Sequence, residues 1–155
     1  DLFMGDDILQ VAPLLTNAKK IVYIDKYLYN YRMNIGMTRK IKYDQIWDIT
    51  RARECSTRIY ASTGTNLKSA VYRSYKKYLE VLFKHIVYGY VDSRQKAPEI
   101  HAKVFGSEHY KNAKKEAFND IPLYNRLIIN MAERKMYGFI YLCSIALRLR
   151  LRLKK

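Results

Sequence analysis

The hydrophobic positions of the chain follow helical spacing from about residue 40 to the end. The clearest stripe places apolar or aromatic residues three or four positions apart between residues 71 and 90, with lysines and arginines between them. Such spacing puts the apolar side chains on one face of a helix. The residues of this stripe are Val71, Tyr75, Tyr78, Leu79, Leu82, Ile86 and Tyr90.

Five further helices are predicted, one before this helix and four after it. The first runs from Ile41 to about Tyr60 and ends at the polar segment Ser62–Asn66. Two short helices are expected within residues 93–119, with a break near Gly106-Ser107. Asp120-Ile121-Pro122 starts another helix, which carries Leu123, Leu127, Ile128 and Met131 on one side, and the last helix extends from about Met136 to the end.

The first 40 residues have a different pattern. Acids precede an apolar helical stretch from Ile8 to Leu15, which Pro13 kinks or ends unless the helix begins at that proline. The β-branched run Ile21–Ile24 and the alternating tyrosines that follow it predict a short β element at about residues 20–32. We therefore expect a mainly α protein with one β element, divided into residues 1–40 and a basic helical domain at 41–155.

The net charge of the chain is the feature of its composition that says most about possible partners. The chain has 29 Lys+Arg against 14 Asp+Glu, a formal net charge of +15, which implies an anionic partner. Its 15 tyrosines, placed among lysines and arginines, also suit base stacking, so a nucleic-acid-binding helical module is one hypothesis. The basic residues are spread over all segments, however, and no helix-turn-helix or RNA-binding signature occurs.

Self-contained catalytic and metal motifs are missing from the sequence. The two cysteines, Cys55 and Cys143, and the three histidines lack metal-ligand spacing, so no metal site is predicted within this chain. No apolar run approaches the ~20 residues that a spanning helix requires. The opening Asp-Leu-Phe is not a secretory signal, and we interpret it as a start within a longer protein.

One stretch carries a specific pattern. Gly5-Asp6-Asp7-Ile8-Leu9 is followed by the segment Ala18 to Arg32, whose sequence is AKKIVYIDKYLYNYR, and by Asn34-Ile35-Gly36-Met37-Thr38. In these residues the chain resembles the family-2 glycosyltransferases of bacterial surface-polysaccharide synthesis. The resemblance covers roughly residues 1–40 and implies the C-terminal end of a GT-A catalytic domain, whose donor-binding half lies upstream of Asp1.

The resemblance assigns chemistry to the acidic pair. The second acid of the family's pair is the general base on the acceptor hydroxyl, and it matches Asp7, while Asp6 stands where the family usually has Glu. A carboxylate within hydrogen-bond reach removes the hydroxyl proton as the anomeric carbon is attacked. The family also uses a divalent metal, Mn²⁺ or Mg²⁺, whose Asp-x-Asp ligands are not in this chain. The implied partners are a nucleotide-sugar donor and a saccharide or lipid-linked acceptor.

Alternative roles remain open for the same residues. Acids such as Asp6 and Asp7 at a helix start also stabilise the helix dipole by about 0.3–1 kcal/mol each. Arg32 and Arg39 flank the loop and are candidates for binding donor phosphates or acceptor, although exposed arginines are often only solvated charges. Without its donor half, the chain alone is expected to be inactive.

The C-terminal end mixes leucines with arginines and lysines from Phe139 to Lys155. This pattern suits an interfacial anchor on an anionic membrane, with each cation adding about 1 kcal/mol near the lipid surface. It suits equally a core helix that ends in a basic tail. The expected location is the cytoplasm, peripherally on the inner face of the cell membrane; a structural membrane-surface adaptor without activity is a third hypothesis.

Overall fold

The structure is a computed structural model that describes residues 43, 45–62 and 68–152, and residues 10, 11, 13, 14, 17–20, 22 and 26 nearer the start. Within these residues the chain is mainly helical, as predicted, and contains no strand. Two 3₁₀ segments in this described part, Tyr90–Ser93 and Phe118–Asp120, join helices. The α-helices are α1 (Gln45–Ser62), α2 (Lys68–Gly89), α3 (Ala97–Gly106), α4 (Glu108–Ala117), α5 (Leu123–Glu133) and α6 (Tyr137–Arg152).

Helix α2 is the centre of the domain. It packs against α1, α4, α5 and α6, while α3 contacts α1, α4 and α5. The predicted stripe is the face that these neighbours cover: Tyr78, Leu79, Leu82 and Ile86 are all at most 2 % exposed. Burying side chains of this size contributes about 1.5–3 kcal/mol each before entropic costs, so α2 organises the core.

The helix ends agree with local sequence signals. Ser107 separates α3 from α4, as the Gly106-Ser107 break predicted, and its Oγ accepts a hydrogen bond from the Tyr110 amide at 3.2 Å. Helix α5 ends at Glu133, and Lys135 follows with φ 59°; the Lys135 amide donates to the Ala132 carbonyl and the Met136 amide to the Met131 carbonyl. This left-handed turn directs the chain into α6.

A buried residue marks the entry to the helical domain. Tyr43 is fully buried, and its hydroxyl shares a hydrogen bond with His101 of α3. Its ring meets Tyr90 edge to face, with centroids 5.8 Å apart. Gly89 packs so closely on Tyr43 that an added Cβ would lie 3.0 Å from the Tyr43 nitrogen. The helical domain therefore includes residue 43.

Three predicted details differ from the structure or fall largely outside the described residues. Helix α1 begins at Gln45, not Ile41, and Leu123 and Leu127 are exposed although Ile128, assigned to the same side of α5, is buried. The reason is that α5 is apolar on more than one face. The predicted β element falls largely outside the described residues; its described members Lys20, Val22 and Lys26 are not in a strand.

Candidate functional site

The site residues predicted from the sequence are not among those the structure describes. Asp6, Asp7, Arg32 and Arg39 all lie outside the described residues. The nearby described positions Gln10, Val11, Pro13, Leu14 and Asn17 have helical backbone, which agrees with the helix expected after the acidic pair. The catalytic assignments therefore stay predictions, and any site on the described helices is built from different residues.

One depression on the helical domain is a cleft of about 510 Å³ between the end of α1, the start of α2 and α4. Its walls combine tyrosine rings with an amide, a carboxylate and two ammonium groups, a mixture suited to a polar ligand that also has apolar faces. The lining side chains are Tyr60, Ala61, Lys68, Val71, Tyr72, Tyr75, Asn112, Lys115 and Glu116.

Hydrogen bonds fix the tyrosines of this cleft. The Tyr72 hydroxyl donates to Asp120 at 2.8 Å, and this bond to a carboxylate raises the pKa of Tyr72. Burial is the main cause that raises the pKa of Tyr75, with the charge of Glu116 adding to it, while a hydrogen bond with Asn112 lowers it. Both hydroxyls are therefore neutral hydrogen-bonding groups near neutral pH, not bases.

A smaller groove of about 330 Å³ adjoins the cleft, since Tyr60 lines both. It is lined by Arg53 of α1 and by Ala70, Arg73, Ser74 and Lys77 of α2. Three of these side chains are cationic, and no acidic side chain of the described residues joins them. Two polar atoms at this helix interface, Arg53 Nε and Ser74 Oγ, are buried and have no hydrogen-bond partner among the described residues.

The three histidines are buried core residues. Burial lowers the pKa of His101 to about 4, and burial together with the charge of Arg53 lowers that of His109 to about 4. His109 packs against Tyr75 and Tyr78, with ring centroids 5.2 Å and 4.6 Å away. Among the described residues, no group of three or more His, Cys, Asp or Glu side chains is arranged to hold a metal ion.

Helices α5 and α6 present a different kind of surface, called here the α5–α6 outer surface. Its exposed side chains are large and apolar, with Leu142 being 64 % and Phe139 54 % exposed. Within the part of the chain that the structure describes, no helix is both long and apolar enough to cross a bilayer. The members of the surface are Leu123, Leu127, Phe139, Leu142 and Leu149.

Only weak signals in the sequence point to the cleft and the groove. Arg53 is a charged residue within α1, and Ser74 interrupts the apolar stripe of α2 next to Tyr75. Polar residues inside a buried stripe are a usable signal because unpaired buried polar groups are uncommon. Their pairing across α1 and α2 depends on tertiary structure.

Comparisons with protein-family models, with curated proteins and with solved structures found no match to this chain.

Proposed function

We propose that the chain is the acceptor-side end of a nucleotide-sugar transferase of the GT-A type, followed by its basic helical domain. The observation that carries the proposal is the pattern of Gly5-Asp6-Asp7 followed by Ile21 to Arg32 and the loop at residues 34–38. The predicted β element at about residues 20–32 belongs to this catalytic part. The transferase moves a sugar to a saccharide or lipid-linked acceptor in cell-surface polysaccharide synthesis.

In this proposal Asp7 is the general base and Asp6 supports it. A sugar hydroxyl is a weak nucleophile, and a nearby carboxylate that takes its proton during attack contributes about 10²–10⁴-fold to the rate. Arg32 and Arg39 bind donor phosphates or the acceptor. The divalent metal that the resemblance implies would supply charge stabilisation to the leaving diphosphate, and its ligands would belong to the donor-binding half, outside this chain.

The test is a sugar-transfer assay on the protein extended upstream of Asp1, with a panel of nucleotide sugars and Mn²⁺ or Mg²⁺. We expect transfer or donor hydrolysis, and a fall of about 10²–10⁴-fold in Asp7→Asn. Asp48→Asn, in the first turn of α1, is the matched control and should keep full activity.

Two results would count against the proposal in different ways. Full activity in Asp7→Asn would remove the base assignment while leaving the transferase. Absence of turnover with every donor, together with tight and salt-sensitive nucleic-acid binding, would instead favour the basic nucleic-acid-binding module. Such binding weakens steeply as the salt concentration rises, because it is driven by the release of counterions.

The proposed location is peripheral, at the inner face of the cell membrane. The α5–α6 outer surface supports it, because exposed apolar side chains of this size mark contact surfaces. Charge points to an anionic partner: from Ile121 to Lys155 the sequence has eight basic residues and one acid, Glu133. Glu133 is already paired with Lys114. Apolar residues with surrounding cations are typical of interfacial binding to anionic lipid.

A further inference from the structure

The groove between α1 and α2 collects positive charge from two helices. Arg73 and Lys77 are four residues apart and therefore lie on the same face of α2, while Arg53 lines the groove from α1. The cleft is lined by the other face of α2, through Val71 and Tyr75, so the groove is a separate depression. No acidic side chain of the described residues joins the groove lining. Three cations that line one groove repel each other, and an anion between them would offset that repulsion.

Little neutralises these cations within the fold. Among the described residues, Arg53 and Arg73 have no ion pair with a carboxylate. Lys77 has only a long contact with Glu80, 3.7 Å between Nζ and Oε2, on a side chain that is 59 % exposed. Exposed pairs of this kind contribute little to stability. The three charges are therefore available to a bound anion.

Arg73 is held in position by uncharged partners. Its Nε donates to the Ser69 carbonyl at 3.2 Å, one turn earlier on α2, and its Nη2 lies 3.5 Å from Ser69 Oγ. A guanidinium has five N–H donors, more than these two contacts use. The remaining donors can form charge-assisted hydrogen bonds with an anion.

The unpaired polar atoms of the groove give independent evidence for a ligand. Arg53 Nε and Ser74 Oγ are buried without a hydrogen-bond partner among the described residues, and Ser74 is only 8 % exposed. Buried polar groups without partners are uncommon because burial without a hydrogen bond is costly. Both groups are donors, and rotation about χ1 lets a serine hydroxyl turn towards a ligand. An oxyanion in the groove would supply the missing acceptors.

The side chains of the groove favour phosphate among the common anions. The guanidinium groups of Arg53 and Arg73 match the spacing of phosphate oxygens, and an ammonium and a hydroxyl add single donors. A terminal phosphate carries a charge of about −1.5 to −2 near pH 7, whereas a phosphodiester carries a single charge. A groove with three cations is better matched by the higher charge.

We infer that the α1–α2 groove binds a terminal phosphate group, either inorganic phosphate itself or the phosphate of a monoester. Arg53, Arg73 and Lys77 bind its oxygens, and Ser74 donates a further hydrogen bond. Tyr60, near the end of α1, lines the part of the groove that would face the organic group of a monoester. This site goes beyond the proposed function and does not rest on it.

Calorimetric titration of the full chain in chloride buffer tests the site, with inorganic phosphate, phenyl phosphate and dimethyl phosphate as probes. We expect saturable binding of one phosphate or one phenyl phosphate per chain. Dimethyl phosphate, a singly charged diester, should bind about fivefold more weakly or not at all. A diester that binds as tightly as phenyl phosphate would overturn the assignment to a terminal phosphate.

Two variants remove the proposed contacts. Arg73→Gln/Lys77→Gln should weaken phosphate binding about tenfold or more, because charge-assisted bonds are lost from two exposed side chains. Ser74→Ala should weaken binding by about threefold or more. It should not lower the melting temperature of the free protein, since its hydroxyl has no partner among the described residues. Unchanged phosphate affinity in both variants would overturn the site.

The matched control is Lys96→Gln/Lys111→Gln, which removes the same charge from exposed positions outside the groove. It should change the affinity less than about twofold at moderate salt, where distant charges are screened. Equal weakening by the two double variants, or no saturable binding of either phosphate compound, would also overturn the site. Circular dichroism of each variant distinguishes lost binding from lost folding.

The two sources of the phosphate group are separated by comparing the probes. Tighter binding of phenyl phosphate than of inorganic phosphate identifies a monoester, and Tyr60→Ala should then abolish the difference. Equal affinities that Tyr60→Ala leaves unchanged identify the free ion. These assays need no sugar transfer, so a groove that fails them would leave an Asp7-dependent transferase standing.

Discussion

Two regions of the helical domain differ in which side chains they bury and which they expose. Where α1, α2 and α4 meet, polar and aromatic side chains are drawn inwards, and Arg53 Nε and Ser74 Oγ are buried without partners among the described residues. On α5 and α6, large apolar side chains such as Leu142 are left in water. Both arrangements cost stability, the first through desolvation and the second through exposed apolar surface. The contrast is between a polar helix interface with unsatisfied groups and an apolar surface without a covering element among the described residues.

The largest expected difference between the two regions is in how the free energy of unfolding depends on pH. The pKa of His109 is lowered to about 4 in the fold, by burial first and by Arg53 second, against 6.5 as its ordinary value. The unfolded chain therefore binds the proton first, and the free energy of unfolding falls as pH drops from about 6.5 towards 4. This histidine alone should cost about 2 kcal/mol between pH 7 and pH 5.

Urea unfolding at several pH values measures this loss. His109→Leu should reduce the pH slope by about 1 kcal/mol per pH unit between pH 7 and pH 5, whatever it does to stability at pH 7. Leu142→Ser, on the α5–α6 outer surface, provides the comparison and should leave the slope unchanged. An unaltered slope in His109→Leu would mean that His109 titrates normally in the folded protein.

Gly89 and Gly138 differ in the space that a side chain would meet, and alanine at each position tests that difference. An alanine Cβ at Gly89 would lie 3.0 Å from the backbone nitrogen and 3.1 Å from the Cα of Tyr43. Because backbone cannot move aside cheaply, Gly89→Ala should destabilise the fold by about 1–2 kcal/mol. Gly138, in α6, has open space around it, so Gly138→Ala should stabilise by about 0.5–1 kcal/mol.

Thermal unfolding of both alanine variants measures these changes. Opposite signs are expected, and the sign is more informative than the size. A stabilising Gly89→Ala would contradict the close packing of α2 on Tyr43, and with it the assignment of residue 43 to the helical domain.

The smallest effect on stability is expected at the α5–α6 outer surface. Leu142 is 64 % exposed, so Leu142→Ser should change the free energy of unfolding by less than about 0.5 kcal/mol. The double variant Leu142→Ser/Phe139→Ser should instead reduce the fraction of protein that sediments with phosphatidylglycerol vesicles. Lys111→Gln/Lys115→Gln, on α4, is the control for charge alone.

The vesicle result decides between occupants of this surface. Loss of sedimentation in the Leu142 and Phe139 variant, with retention in the control, supports the membrane. Concentration-dependent dimerisation that the same variant abolishes, without any vesicle binding, would assign the surface to a second copy of the chain.

The helices could be predicted from the sequence better than their surroundings. Leu79 and Leu82 indicate the buried face of α2 by spacing alone, and the Gly106-Ser107 break is local turn chemistry. By contrast, Leu123 and Ile128 look equivalent in the sequence, and only the position of α2 decides that Ile128 is buried. Periodicity assigns a face to a helix but does not choose between two apolar faces.

The candidate site was harder to predict for the same reason. Arg53 and Ser74 belong to different helices, and nothing in the order of residues pairs them. The acidic pair Asp6-Asp7 can be proposed from the sequence because its signal is local, carried by consecutive residues. A cleft assembled from three helices has no such signal, and its tyrosines resemble ordinary core residues until their exposure is known.

The burial of Tyr43 also has a consequence for how the chain can be divided. A protease that cuts before this residue would release a helical domain with its anchor to His101 and Gly89 intact. A cut just after it would separate a fully buried ring from its contacts with Gly89 of α2 and His101 of α3. Recombination between genes would face the same restriction, so inherited exchanges of this helical domain should carry Tyr43 with them.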